Sequence, residues 1–142
     1  MPKTDLQELT IKFEVPDIDS YQRLRIDSGL SPRSKEAAVK GLPNSLFAIT
    51  LYNPDNYAVG MGRVVGDGGC NFEVVDIAVD PAYQGQGLGR LIMEEVCRYL
   101  DQEVPPQSYV CLIADTPWLY EKFGFDYCAP ELHGMHRLQR KP

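Results

Sequence analysis

The chain has 142 residues, of which 44% are apolar and 24% charged, with a formal net charge of −6; that is the length and composition of one globular domain, expected over residues 1–142, with a core large enough to need no staples. No apolar run approaches the ~20 residues of a membrane span, the opening stretch "MPKTDLQELTIKFEVP" lacks the apolar core of a signal peptide, and apart from the tail "HRLQRKP" the basic residues are scattered, forming no stripe with interleaved aromatics. Membrane and nucleic-acid partners are therefore excluded as expectations, and the negative charge by itself chooses no substrate.

In chain order, "LTIKFEV" (Leu9 to Val15) alternates as a half-buried strand does and ends at Pro16. "DSYQRLRIDSGL" predicts a short helix capped by Asp19 or Ser20 and stopped at Gly29, and "SPRSKEAAVKGL" a second, capped by Ser31 and stopped at Gly41. "SLFAITLY" and "YAVGMGRVVG" flank the turn residues "NPDN" and read as a hairpin, which "DGG" extends into "CNFEVVDIAV". "LGRLIMEEVCRYLDQ" places Leu88, Leu91, Ile92, Val96 and Tyr99 on one helical face. After the breaker "VPPQ" come a buried strand "SYVCLIA", a helix in "TPWLYEKFGF" closed by Gly124, and further strands from "FDYCAP" and "GMHRLQ". The fold class is mixed α/β: a central sheet that begins as an antiparallel meander and gains a parallel neighbour, flanked by about four helices.

Cys70, Cys97, Cys111 and Cys128 contain no C-x-x-C pair, and His133 and His136 are the only imidazoles. No metal site is expected from this set. The cysteines read as small apolar residues in a reducing, cytoplasmic setting.

The stretch "YQGQGLG" (Tyr83 to Gly89) concentrates glycine where a strand passes into a helix. The first N–H groups of a helix are unpaired and its dipole is positive there, so a glycine loop at that point can seat an anion. Gly85, Gly87 and Gly89 are spaced two and two, which is neither the dinucleotide fingerprint nor a P-loop, whose lysine and hydroxyl are missing. Gln84 and Gln86 offer side-chain donors and Leu88 an inward apolar contact. A ligand-free glycine turn remains the other reading of the spacing.

"VVDIAVDPAYQGQGLGRLIMEEV" resembles the acyl-CoA binding motif of the GCN5-related N-acetyltransferase (GNAT) superfamily, and "LYEKFGF" (Leu119 to Phe125) resembles that family's second motif. The segment around the glycines is especially similar to glucosamine-6-phosphate N-acetyltransferases; the amino-terminal part is not, so that substrate is not carried over. The resemblance implies an acetyl-CoA-dependent N-acetyltransferase acting on a primary amine. Ile77, Ala78 and Val79 would hold the pantetheine arm with their backbone, and the loop Gln84, Gly85, Gln86, Gly87, Leu88 and Gly89 the pyrophosphate.

By the same resemblance Tyr120 is the general acid at the departing thiolate. Glu73 and Asp76 are the candidate bases; ideal alternation puts them on opposite faces, so both serve one side only if a bulge intervenes. Glu73 is slightly preferred. Asp115 stands where relatives carry an asparagine that touches the pantetheine arm or the substrate, or else it caps the next helix. Trp118 and Tyr127 are candidates for the acceptor pocket, with core packing the favoured reading for Trp118. A small-molecule amine is favoured over a protein lysine as acceptor, a homodimer is possible, and the alternative is a non-catalytic acyl-CoA-binding module.

Overall fold

Residues 8–139 are described by the computed structural model. Five strands form one sheet in the order β1 (Thr10–Lys12), β2 (Phe47–Tyr52), β3 (Ala58–Gly66), β4 (Asn71–Val79), β5 (Tyr109–Leu112). The first three pairings are antiparallel and β4 runs parallel to β5, as the meander and its parallel neighbour lead one to expect. Four helices flank it: α1 (Ile18–Asp27), α2 (Lys35–Gly41), α3 (Leu88–Glu103) and α4 (Pro117–Glu121).

The sheet has a core on each face. On one, α3 lays Leu88, Ile92, Met93 and Val96 over Ile49, Leu51, Val64, Phe72 and Val74, with Tyr120 of α4 in the same cluster. This follows the apolar stripe read from the sequence, with Met93 buried in addition and Leu91 and Tyr99 half-buried at its margin. The helix approaches β3 closely because Gly62 has no side chain: a Cβ there would stand 2.8 Å from both Ile77 Cδ1 and Ile92 Cγ2. On the other face α1, α2 and the turn after α2 cover Met61 and Ala78 with Tyr21, Leu24, Ala38 and Leu42.

Local chemistry shifts several boundaries. Asp17, rather than Asp19 or Ser20, caps α1, its carboxylate accepting from Ser20 N at 2.8 Å; Ser34, rather than Ser31, caps α2 through Ala37 N at 3.0 Å. The first strand is only three residues long because the chain leaves the ladder at Phe13, after which Thr50 Oγ1 holds the carbonyl of Glu14 at 2.7 Å. The strands expected from "FDYCAP" and "GMHRLQ" are not formed: residues 126–139 join no ladder, and Leu132 N turns back to the Cys128 carbonyl at 2.8 Å. Residues 126–139 are exposed throughout, so no sheet edge packs against them.

No helix among the described residues is long and apolar enough to cross a membrane. Nor, among them, do three or more His, Cys, Asp or Glu side chains gather as a metal site would require.

Candidate active site

The ladder between β4 and β5 ends at Val74 and Leu112. There β5 ends while β4 runs on to Val79, and a cavity of about 1010 Å³ opens between the end of β4 and the α4 region, at the upper end of small-molecule pockets, about 300–1,000 Å³. Its walls are Ile77, Ala78 and Val79 of β4, the loop residues Gln84, Gly85, Gly87, Leu88 and Gly89, the α4 region with Asp115, Trp118 and Tyr120, and Ser28 and Leu30 just after α1.

At the loop, Gly87 is the N-cap of α3 with φ +85°, a left-handed conformation that favours glycine, and no side chain caps the helix. The first bond of the helix runs from Leu91 N to Gly87 O at 3.0 Å, so the N–H groups of Leu88, Gly89 and Arg90 have no helical partner. A Cβ on Gly85 or Gly87 would meet nothing within 4 Å, so both face open space. An uncapped 16-residue helix whose amino end opens into a cavity suits an anion such as a pyrophosphate.

Tyr120 is 7% exposed and packs edge-on against Phe125. Burial pushes its hydroxyl above the ordinary tyrosine range; the charge of Asp115 raises it further, and a hydrogen bond with Thr116 partly offsets both. The group therefore keeps its proton at neutral pH, as a proton donor must. Asp115 does not cap α4, whose N-cap is Thr116; its Oδ1 accepts from Thr116 Oγ1 at 3.3 Å.

The two carboxylates are separated by a bulge. The register of β3 on β4 shifts between Met61 and Arg63, leaving Asp76 and Ile77 opposite Gly62. Ile77 consequently joins Phe72 and Val74 on the α3 face, whereas Ala78 and Asp76 turn towards α1. Alternation from Phe72 and Val74 puts Glu73 on the α1 face as well, so ideal alternation fails here and the two acids share a side. Neither lines the cavity. Asp76 is buried and paired with Arg25 and Arg63; Glu73 is half-buried and has no ion-pair partner among the described residues.

The stretch that carries the end of β4, the glycine-led helix and α4 has a family model to match it: the acetyltransferase (GNAT) domain, over residues 44–127. The chain belongs to the GNAT acetyltransferase family. Histone acetyltransferase TAP1 of Glycine max is 33% identical over 133 residues, which cover 84% of this chain and 57% of TAP1. This GNAT chain spans only about half the length of such plant relatives, 52% in the case of TAP2. Protein SA2161 of meticillin-resistant Staphylococcus aureus, itself of unknown function, superposes with a TM-score of 0.87 at 47% identity, covering 92% of this chain and 99% of SA2161. The GNAT protein YhbS of Escherichia coli, crystallised with CoA, shares the fold alone: TM-score 0.63 at 23% identity, over 84% of this chain and 69% of its own.

Within this GNAT site several residues stand apart from expectation. Gln86 is half-buried and off the cavity wall. Gln84 lines the cavity, but its amide donates to the Val79 carbonyl at 3.0 Å and so holds the loop. Trp118 is 62% exposed, with Lys122 Nζ 5.2 Å from its ring centroid, and lines the cavity instead of the core. Tyr127, 69% exposed, lines a smaller hollow that shares Tyr120. Ser28, Leu30, Arg90 and Lys122 were not anticipated; only Arg90, three residues after the N-cap, carried a local signal. Burial raises the thiols of Cys97 and Cys111, which disfavours the nucleophilic thiolate.

Proposed function

We propose that this GNAT chain is an acetyl-CoA-dependent N-acetyltransferase that passes the acetyl group to a primary amine by direct attack. The observation that carries the reading is the meeting of three features around one cavity: the uncapped start of α3, the backbone of Ile77 to Val79, and Tyr120. In this reading the loop from Gln84 to Gly89 takes the pyrophosphate, and the strand end takes the pantetheine arm beside Asp115. YhbS, on the same fold, was crystallised with CoA, which supports CoA as the carrier.

The chemistry needs a neutral amine. Glu73, the carboxylate without an ion-pair partner, takes the ammonium proton through water, because it does not itself line the cavity. The amine nitrogen then bonds to the thioester carbon, while backbone N–H groups of Ile77 to Val79 stabilise charge on its oxygen. The carbon–sulfur bond breaks, the departing thiolate takes the proton of Tyr120, and the surplus proton on the attacking nitrogen passes through water to the Tyr120 oxygen, which restores the acid. No covalent enzyme intermediate forms.

The acceptor in this reading is a small amine, taken at the part of the cavity lined by Ser28 and Leu30. Two assays test the assignment. Acetyl-CoA should raise the melting temperature while NAD and ATP do not; equal shifts from all three would overturn it. Thiol release from acetyl-CoA should appear with one class in a panel of polyamines, arylalkylamines, amino sugars, amino acids and a lysine peptide. Binding with silence across that panel would show a non-catalytic acyl-CoA-binding module instead.

A further inference from the structure

Asp76 sits in the bulge of β4 with φ +59°, a left-handed conformation that a non-glycine residue keeps only when its surroundings hold it there. The holding groups are explicit. Its Oδ2 accepts from Tyr21 Oη at 2.9 Å and from Arg63 Nε at 2.8 Å, and its Oδ1 accepts from Arg25 Nη1. Tyr21 and Arg25 are 2% and 4% exposed and Asp76 is 9% exposed, so this is an internal cluster in which Tyr21, Arg25 and Arg63 each direct one donor at the same carboxylate.

The same arginines reach further. Arg25 Nε donates to the Ser31 carbonyl at 2.7 Å, which fixes the loop that contributes Ser28 and Leu30 to the cavity. Arg63 Nη1 donates to Ser45 Oγ at 2.9 Å, at the entry to β2. One residue beyond Asp76 begins the stretch Ile77 to Val79 that forms the opposite wall. A carboxylate whose oxygens are occupied by three donors, two of them cationic, is placed to hold geometry and poorly placed to accept a substrate proton.

We infer that Asp76 is a positioning residue: through Arg25, Arg63 and Tyr21 it sets the bulged backbone of β4 and the loop after α1 at a fixed separation, and so fixes the thioester relative to the incoming amine. The role at the thioester rests on the acetyl-CoA reading of the cavity. The mechanical link between bulge and loop does not.

The test uses the full chain with Asp76→Asn and, since that variant leaves two arginines without their charge partner, the milder Tyr21→Phe. Affinities for acetyl-CoA and for adenosine 3′,5′-bisphosphate, which lacks the pantetheine arm, are measured by calorimetry. Both variants should weaken acetyl-CoA by about fivefold or more, the scale of a lost charge-assisted hydrogen bond, and leave the bisphosphate within about twofold. Equal weakening of both ligands would mean general loss of structure, and no weakening of either would leave Asp76 open as the base; each overturns the inference. Hydrogen exchange without ligand supplies the independent arm. It should quicken together in residues 28–33 and 75–79 while α3 stays protected; a change confined to one segment would refute the link even if the cavity proves not to bind acetyl-CoA.

Discussion

The side-chain amide of Gln84 donates to the carbonyl of Val79 at 3.0 Å, closing the glycine loop back onto the strand that leads into it. Loop and strand end, which the proposed function gives to different parts of one ligand, are thereby held in one geometry. Replacing Gln84 by Ala removes a neutral hydrogen bond, worth about 0.5–1.5 kcal/mol. The KM for acetyl-CoA should rise about three- to tenfold with kcat nearly unchanged, as steady-state kinetics would read; a fall in kcat alone would contradict the holding role.

Gly87→Val addresses the loop from the other side. With φ +85° the substitution carries backbone strain of about 1–2 kcal/mol, yet no atom lies within 4 Å of the new Cβ, so packing is untouched. The melting temperature should fall by a few degrees, on the order of 2–8 °C, and the branched side chain should raise the KM for acetyl-CoA by at least ~10-fold. An unchanged KM would detach the loop from the cofactor.

Tyr120→Phe should lower kcat by ~10²-fold, the scale of a lost general acid, with acetyl-CoA affinity little altered. Because burial, then the charge of Asp115, raise the Tyr120 hydroxyl above its usual value of 10.0, its protonated form persists to higher pH. The rate of the parent enzyme should accordingly show no alkaline decline from this group below about pH 10. A decline centred near pH 8 would assign the acid elsewhere.

Stability should also follow the tyrosines. Burial, reinforced by Asp76, raises Tyr21; burial and the bond to Glu14 push Tyr52 up to about 12; burial raises Tyr99 and Tyr120. A folded-state value above the unfolded one makes a contribution that is complete below the unfolded value and is lost as pH rises towards the folded one. Urea midpoints should hold steady below pH 10 and drop between pH 10 and 12, less steeply in Tyr52→Phe.

Gly62→Ala probes the approach of α3. The added carbon meets Ile77 Cδ1, a movable side-chain tip, and Ile92 Cγ2, a branch near the backbone of a fully buried residue, both at 2.8 Å. Overpacking should cost about 1–3 kcal/mol, measured by urea denaturation. A neutral result would mean that α3 has room to shift.

What could be read in the chain beforehand was local. The stripe on α3 and the glycine loop depend on neighbours a few residues apart, and both are where their spacing put them. The caps at Asp17 and Ser34 were misjudged because several short polar side chains compete within one turn. The cluster around Asp76 joins residues 55, 51 and 13 positions away, and no periodicity announces such a meeting. The bulge likewise depends on how β3 pairs, since alternation in β4 alone assigns Glu73 and Asp76 to opposite faces. Trp118 illustrates the converse: large apolar area argued for the core, while its place at the first turn of α4 left it at a cavity mouth.

No side chain caps the start of α3, so in the proposed function the pyrophosphate is held chiefly by main chain, with Arg90 beside it. Peptide N–H groups are the same whatever residues bear them, so a grip made of backbone is nearly blind to substitution except where a Cβ would obstruct it. The positions facing Ser28 and Leu30 enjoy no such immunity, being made of side chains. Drift in this sequence should then change which amine is accepted long before it changes what is held at the loop, so that partner choice and cofactor choice can evolve as separate traits.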